Sequence, residues 1–218
     1  MATDSIQEKK TTSISDTNVF GKPITVNEYA DREARASAAY AQIDGDDKRK
    51  KVKDYVQNLK KSFGDGVSVL ATIYNATGEN LYFSTSKDWY GKLYTDGGSS
   101  YPKIIQNGQW AGFLHIKSPS VPSGSEAAVV YRVKAKEGDA GENADVVIAW
   151  DDSWAPGSNN KVYTEIAKTG SLSGWDDIGK KIGSMSAAES SFNMRLYSTV
   201  SIAQDSSANL EAVITATN

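Results

Sequence analysis

The chain has 218 residues, 39% hydrophobic and 23% charged, with a formal net charge of −3 and a pI near 5.3; this supports one sizeable core and excludes a global basic field for nucleic acid. The absence of cysteine removes disulfide frameworks, thiolate nucleophiles and cysteine-based zinc sites, and agrees with a reducing compartment. No stretch approaches the roughly 18 apolar residues of a membrane span, and the polar N-terminus lacks the apolar run of a signal peptide, so a soluble, cytoplasmic protein without a transmembrane segment is expected.

Residues 1–20, rich in Ser, Thr, Lys and Asp, read as a disordered tail, with 21–218 forming a single domain. From 27 to 43 the residues turn to good helix formers, with Asn27 available as a cap and Tyr29, Ala36, Tyr40 and Ile43 at roughly helical intervals. Asp44-Gly45-Asp46-Asp47 breaks that pattern and supplies negative charge for the start of a second helix. There Val52, Tyr55, Val56, Leu59 and Phe63 form one apolar stripe, and Lys48, Arg49, Lys50, Lys51, Lys53, Lys60 and Lys61 make the segment 46–63 basic. Gly64-Asp65-Gly66 stops it.

After Gly66 the period changes from 3.6 to 2, and Val, Ile, Tyr, Phe, Trp and Thr alternate with Gly-, Ser- and Asn-rich turns. Strands are predicted at 67–74, 79–84, 92–95, 110–117, 125–133, 144–150, 161–167, 195–203 and 209–216, with a short helix at 175–182. Asn75-Ala76-Thr77-Gly78 and residues 137–141 have the chemistry of hairpin turns. Strands of this kind pair mostly with sequence neighbours, so the predicted fold is a mainly β, antiparallel sandwich at about 67–217, preceded by helices within about 27–63.

Chemistry is sparse in this pattern. The chain holds one histidine, His115, within a strand and with no Gly-x-Ser-x-Gly elbow, so it reads as structural. No calcium loop, phosphate-binding glycine motif or cluster of metal ligands is spelled out, and no cofactor, metal or catalytic residue is assigned. Asp151-Asp152 follows a strand end and is the one carboxylate pair of interest; a hydrolase using it is the least implausible enzyme.

Aromatics offer more. Rings in loops stack on sugars or sit at a lipid headgroup interface, and rings of the same type also fill sandwich cores. The run from Trp150 to Asn159 joins aromatics, carboxylates and amides in one irregular loop, so Trp150, Asp151, Asp152, Trp154 and Asn159, with Trp89 and Tyr90, form the candidate ligand site. The basic helix is either a solvated face or a partner-binding surface.

Ile73-Tyr74-Asn75-Ala76-Thr77-Gly78-Glu79-Asn80-Leu81, then Asp88-Trp89-Tyr90-Gly91, Ile105-Gln106-Asn107-Gly108-Gln109-Trp110, Ser125-Glu126-Ala127-Ala128-Val129-Val130-Tyr131 and Val162-Tyr163-Thr164-Glu165-Ile166, resemble the plant 23 kDa jasmonate-induced protein family. That resemblance implies a plant cytosolic protein induced by a stress hormone, with no catalytic assignment. A more distant similarity is to the actinoporin-like sandwich of sea-anemone cytolysins and a fungal sphingolipid-binding protein. In the toxins the headgroup pocket uses a Ser-x-Pro stretch and a tyrosine cluster, whereas the corresponding strand end here reads Ala149-Trp150-Asp151. The toxins insert an N-terminal amphipathic helix, whereas here the helix is internal, so pore formation is not expected. The expected function is non-catalytic stress or defence binding of a lipid headgroup or carbohydrate, with peripheral membrane contact and no nucleic acid. The alternative is a protein–protein module working through the basic helix.

Overall fold

Two-residue alternation puts every second side chain of a strand on one face, so a chain of such strands needs a second layer to cover that face. The computed structural model describes residues 18–96, 99–119, 122–135, 142–155 and 157–216. In chain order the elements are β1 (Val19–Phe20), α1 (Arg32–Ala41), a 3-10 turn (Gly45–Asp47), α2 (Lys48–Phe63), β2 (Ser68–Ala76), β3 (Leu81–Tyr90), β4 (Lys92–Leu93), β5 (Ile104–Ile105), β6 (Trp110–Ile116) and β7 (Ser125–Lys134), followed by β8 (Asn143–Asp152), β9 (Lys161–Lys168), α3 (Trp175–Gly183), β10 (Ala188–Asn193), β11 (Leu196–Ile202) and β12 (Ser207–Ala216). The first sheet runs β1-β6-β2-β12-β11-β10, with β4 also on β6; the second runs β5-β3-β7-β8-β9. The sandwich expected from the sequence is the fold of this chain.

Val69, Ile73, Phe113, Val129, Tyr131, Ile148, Trp150, Leu210 and Ile214 are among the side chains that meet between the sheets. The helices then cover the outer faces. Gly112 on β6 brings α2 close, since a Cβ there would lie 2.8 Å from a methyl of both Val52 and Val56. Val56, Leu59 and Phe63 pack on Leu70, Leu114 and Ile116. On the opposite side Ile178 and Ile182 of α3 pack on Ala128, Val130, Val147 and Ala149, each stabilising the docked helix by about 1.5–3 kcal/mol. The order of layers is helix, sheet, sheet, helix. β2 and β6 are therefore buried along both faces and read as near-continuous runs.

Three sequence expectations change. The first helix begins at Arg32, capped by the Asp31 carboxylate, which accepts from the Ala34 backbone N–H at 2.7 Å; Asn27 lies in a preceding turn, because the Glu28 side chain folds back to accept from Thr25 N–H. The strands β2 and β12 lie side by side and parallel, so the centre of the first sheet is a pairing of distant segments rather than of sequence neighbours. Strands β1, β5 and β10 were not predicted; β1 places residues 18–20 against β6, inside the stretch expected to be tail. Residues 1–17 and the expected turn at 137–141 lie outside the described residues.

Side chains from β10 complete the edge of the second sheet: Ser191 Oγ accepts from Ile166 N–H at 3.2 Å and Asn193 Nδ2 donates to Ile166 O at 2.9 Å. This satisfies part of an edge strand that would otherwise offer free backbone groups.

Candidate functional site

Alternation along the end of β8 decides what each residue of the expected site can do. The strand continues two residues past Trp150, because Asp151 and Asp152 still pair with Glu126 and Ser125. Trp150 therefore points inward and is fully buried, tilted against Phe113 (5.8 Å) and edge-on to His115 (5.3 Å), with Nε1 donating to Ser125 Oγ at 3.1 Å. It has no surface to offer a ligand, which corrects its assignment to a binding loop.

Ser125 Oγ also sits 2.8 Å from His115 Nδ1, and His115 Nε2 is 3.3 Å from Asp88 Oδ1. The residue types are those of a nucleophilic triad, but the arrangement is not. Ser125 is fully buried and its oxygen already accepts from the indole. If Ser125 donates to Nδ1, the ring carries its proton on Nε2 toward Asp88. Burial lowers the His115 pKa, opposed by the hydrogen bond and charge of Asp88, and holds the ring neutral in the core. This is a core polar network that orients Trp150, and it agrees with a structural reading of His115.

The carboxylates at this end are unusual. Asp152 points inward, is fully buried, and neither oxygen has a hydrogen-bond partner; Ser68 Oγ on β2 is likewise unpartnered. Desolvation first, then the charges of Asp205 and Asp151, push the Asp152 pKa up to about 7, although the nearby Asn160 side chain and Ser68 backbone favour the charged form. On the outer face, Tyr90, Glu126, Asp151 and Lys161 occupy one cross-strand row. Desolvation and the adjacent Asp151 push Glu126 up to about 7, with Lys161 opposing. Asp151 is raised by desolvation, against the pull of Lys161.

The remaining expected residues separate. Trp89 is held on the outer face, T-shaped to Trp175 at 6.2 Å and over Gly179, where a Cβ would lie 3.1 Å from its Nε1. Tyr90, 59% exposed, and Trp154, 53% exposed, project at the same end of the sandwich. Trp154 lines a groove of about 490 Å³ with Ser153, Ser206 and Ser207, two cations, Lys60 and Lys117, and one carboxylate, Asp65. Lys60 caps the end of α2 by donating to Gly64 O and Gly66 O, both at 2.8 Å. Asn159 lines a different recess with Met185 and Gln204. Trp154 stands exposed in a groove with the half-buried Lys117 and the exposed Asp65, Tyr90 stands exposed in a row with the half-buried Asp151, and Asn159 is exposed at the separate recess.

A larger groove, about 590 Å³, was not foreseen. It lies between α1 and the outer face of β11 and β12, lined by Glu33, Ser37 and Tyr40 on the helix, Tyr197, Thr199, Val213 and Thr215 on the sheet, and Arg49 at one side. The one signal for it was the outward alternation of Tyr197 and Thr199.

A model of the Nakanori-like protein family matches residues 8–217. The chain belongs to this family. It is 33% identical over 201 residues to the 23 kDa jasmonate-induced protein of Hordeum vulgare, covering 90% of each chain, as the sequence resemblance anticipated. Among solved structures, the lipid binding protein Nakanori superposes with a TM-score of 0.76 at 23% identity, over 90% of this chain and 99% of that one, which shows the shared fold. Neither relative bears the name of an enzyme.

In this Nakanori-like chain the Asn75-Ala76-Thr77-Gly78 motif is a structural device. Gly78 has φ +78°, and a Cβ there would lie 2.3 Å from Arg32 O, so only glycine fits under α1. The buried Arg35 donates to Gly78 O (2.8 Å) and Ala30 O (2.6 Å) and pairs with Glu79 at 3.0 Å. Arg32 donates to Thr77 O at 3.0 Å and also to Ala135 O. Asn107 accepts from Gly78 N–H (2.9 Å) and donates to Arg35 O (3.1 Å), locking turn, helix and loop together.

Proposed function

We propose that this Nakanori-like chain is a non-catalytic, stress-related lipid-binding protein that meets a lipid surface from its cytosolic side with the end of the sandwich bearing Trp154 and Tyr90. The observation that carries this reading is Trp154, a half-exposed indole in an end loop with Lys117 across the same groove. An indole is most favourable at the water–lipid boundary, where its apolar body and its N–H meet different media. Lys60 and Lys117 outweigh Asp65 by one positive charge in this groove, which draws the surface toward anionic headgroups at about 1 kcal/mol per charge. The lipid binding of Nakanori, on the same fold, supports the ligand class. The jasmonate-induced barley relative supports the stress context.

Among the described residues, no helix is long and apolar enough to cross a membrane, which fits contact at the surface. The inward-facing Ser125 and His115 support a non-catalytic reading. The basic helix is the weaker surface: Lys48 is buried against Tyr74 and Gly108 O, Arg49 is paired with Asp44 and Glu211, and Lys50 with Asp54. The test is co-sedimentation with vesicles of phosphatidylcholine, alone and with phosphatidylserine or sphingomyelin. Binding to at least one composition, weakened by roughly tenfold in Trp154→Ala, is expected; undiminished binding in a Trp154→Ala/Tyr90→Ala double variant would overturn the assignment of this end.

A further inference from the structure

We infer that the groove between α1 and the outer face of β11 and β12 is a second binding site, for a neutral oligosaccharide. Its volume of about 590 Å³ falls in the range of small-ligand sites, roughly 300–1,000 Å³. Two phenol rings flank it, Tyr40 from the helix at 57% exposure and Tyr197 from the strand at 37%. A sugar ring presents a C–H face that stacks on an aromatic ring and an edge of hydroxyls that need hydrogen-bond partners. Ser37, Thr199 and Thr215 line the same groove with hydroxyl groups, the last directed at Tyr197 O at 3.5 Å, and their donors and acceptors match those of a polyol.

Charge decides between a polyol and a lipid headgroup. The one cation in the lining is Arg49, which pairs with Asp44 at 3.2 Å and with Glu211 at 2.8 Å, so that these two carboxylates balance Arg49 and Lys53, the second partner of Glu211 at 3.4 Å. Its guanidinium also lies 5.0 Å from the centre of the Trp110 ring, which fixes it in place. Glu33 adds a further negative charge to the wall. A phosphate entering here would meet a surface with no uncompensated positive charge, whereas a neutral ligand meets no such penalty.

The walls are preformed. α1 is capped by Asp31 and held by the arginine contacts to the 75–79 turn, and β12 sits between β2 and β11. Binding there needs little ordering of the protein. Tyr197 and Ala76 mark the strand ends opposite to Ser68 and Asp152, so the groove is at the other end of the sandwich from Trp154. A chain lying on a lipid surface through Trp154 would present this groove away from that surface, and both sites could be filled at once.

The experiment applies the fluorescently labelled full chain to an array of neutral gluco-, manno-, xylo- and galacto-oligosaccharides, then titrates the best-bound free sugar by calorimetry. Tyr197→Ala removes one stacking ring, and Thr199→Lys fills the groove while leaving both rings in the chain. Binding of at least one sugar is expected, weakened at least about tenfold in each variant, with melting temperature and vesicle co-sedimentation unchanged. Trp154→Ala should do the reverse. The inference is overturned if no neutral oligosaccharide binds, if both groove variants bind as tightly as the parent, or if they lose vesicles instead, which would make the occupant a lipid headgroup. Loss of vesicle binding in no variant, with sugar binding intact, would count against the lipid-facing end alone.

Discussion

The two ends of the sandwich use the same kinds of side chain to opposite effect. At the end bearing the 75–79 turn, the polar side chains of Arg35, Asn75 and Asn107 reach backbone carbonyls and one carboxylate, and the helix α1 is tied to the sheet through them. At the other end the Asp152 carboxylate and the Ser68 hydroxyl are equally buried with no well-formed hydrogen bond, the Asn160 side chain and Ser68 backbone lying only near the carboxylate, while Trp154 and Tyr90 stand in solvent. Buried polarity that is fully hydrogen-bonded specifies structure; buried polarity left without partners destabilises its surroundings. The first end is built for rigidity, and the second carries the desolvated carboxylate and exposed rings that a binding end tolerates.

The comparison breaks most visibly at Arg35. Replacing it with Ala removes a buried cation from Glu79 and strands Gly78 O, Tyr29 O and Ala30 O. A loss of roughly 3–5 kcal/mol is expected in urea unfolding, by analogy with other broken buried pairs. A loss under about 1 kcal/mol would show that the sealed end is no tighter than the open one.

At the open end the sign reverses. Asp152 has a folded pKa of about 7 against an unfolded value near 3.9, so the native state holds its proton more tightly. Its contribution is therefore fully present below about pH 4 and lost as pH rises through about 7. Glu126, also near 7, acts in the same direction. Stability should thus fall between about pH 4 and 7, and Asp152→Asn should recover up to roughly 4 kcal/mol at pH 8. Equal urea midpoints for parent and variant at both pH values would mean that Asp152 finds partners in solution.

Ser125→Ala should cost about 1–3 kcal/mol, because it leaves His115 Nδ1 and Trp150 Nε1 buried without their shared partner. The size of this loss, read by thermal unfolding, measures how far the core network reaches into the open end. A variant as stable as the parent would show that water replaces the hydroxyl.

Much of this difference was hidden in the sequence. The strands and the two long helical segments were legible, because a change from a 3.6- to a 2-residue period is local information. β10 was not, because its hairpin turns on Met194-Arg195, with φ of +52° and +58°, where Asn or Gly is the usual signal. The unforeseen groove is non-local: Tyr40 and Tyr197 face the same groove because β12, pairing in parallel with β2, carries β11 beside α1. Of the expected site, Trp154 and Tyr90 were identified as exposed aromatics from loop chemistry. Trp150 failed because periodicity does not say where a strand stops: two acidic residues that looked like loop continue β8 and carry the indole inward.

The smallest expected effect on stability is the sharpest test of the contrast. Trp154→Ala and Tyr90→Ala should each shift stability by no more than about 0.5 kcal/mol, since both rings are more than half exposed. A buried tryptophan such as Trp150 would cost about 3–5 kcal/mol on the same substitution. A protein gains little stability by keeping large apolar rings in water, so rings that contribute almost nothing to folding are free to serve a surface. If Trp154→Ala instead lowers the urea midpoint as Trp150→Ala does, the ring is packed in solution, and the open end is a second sealed one.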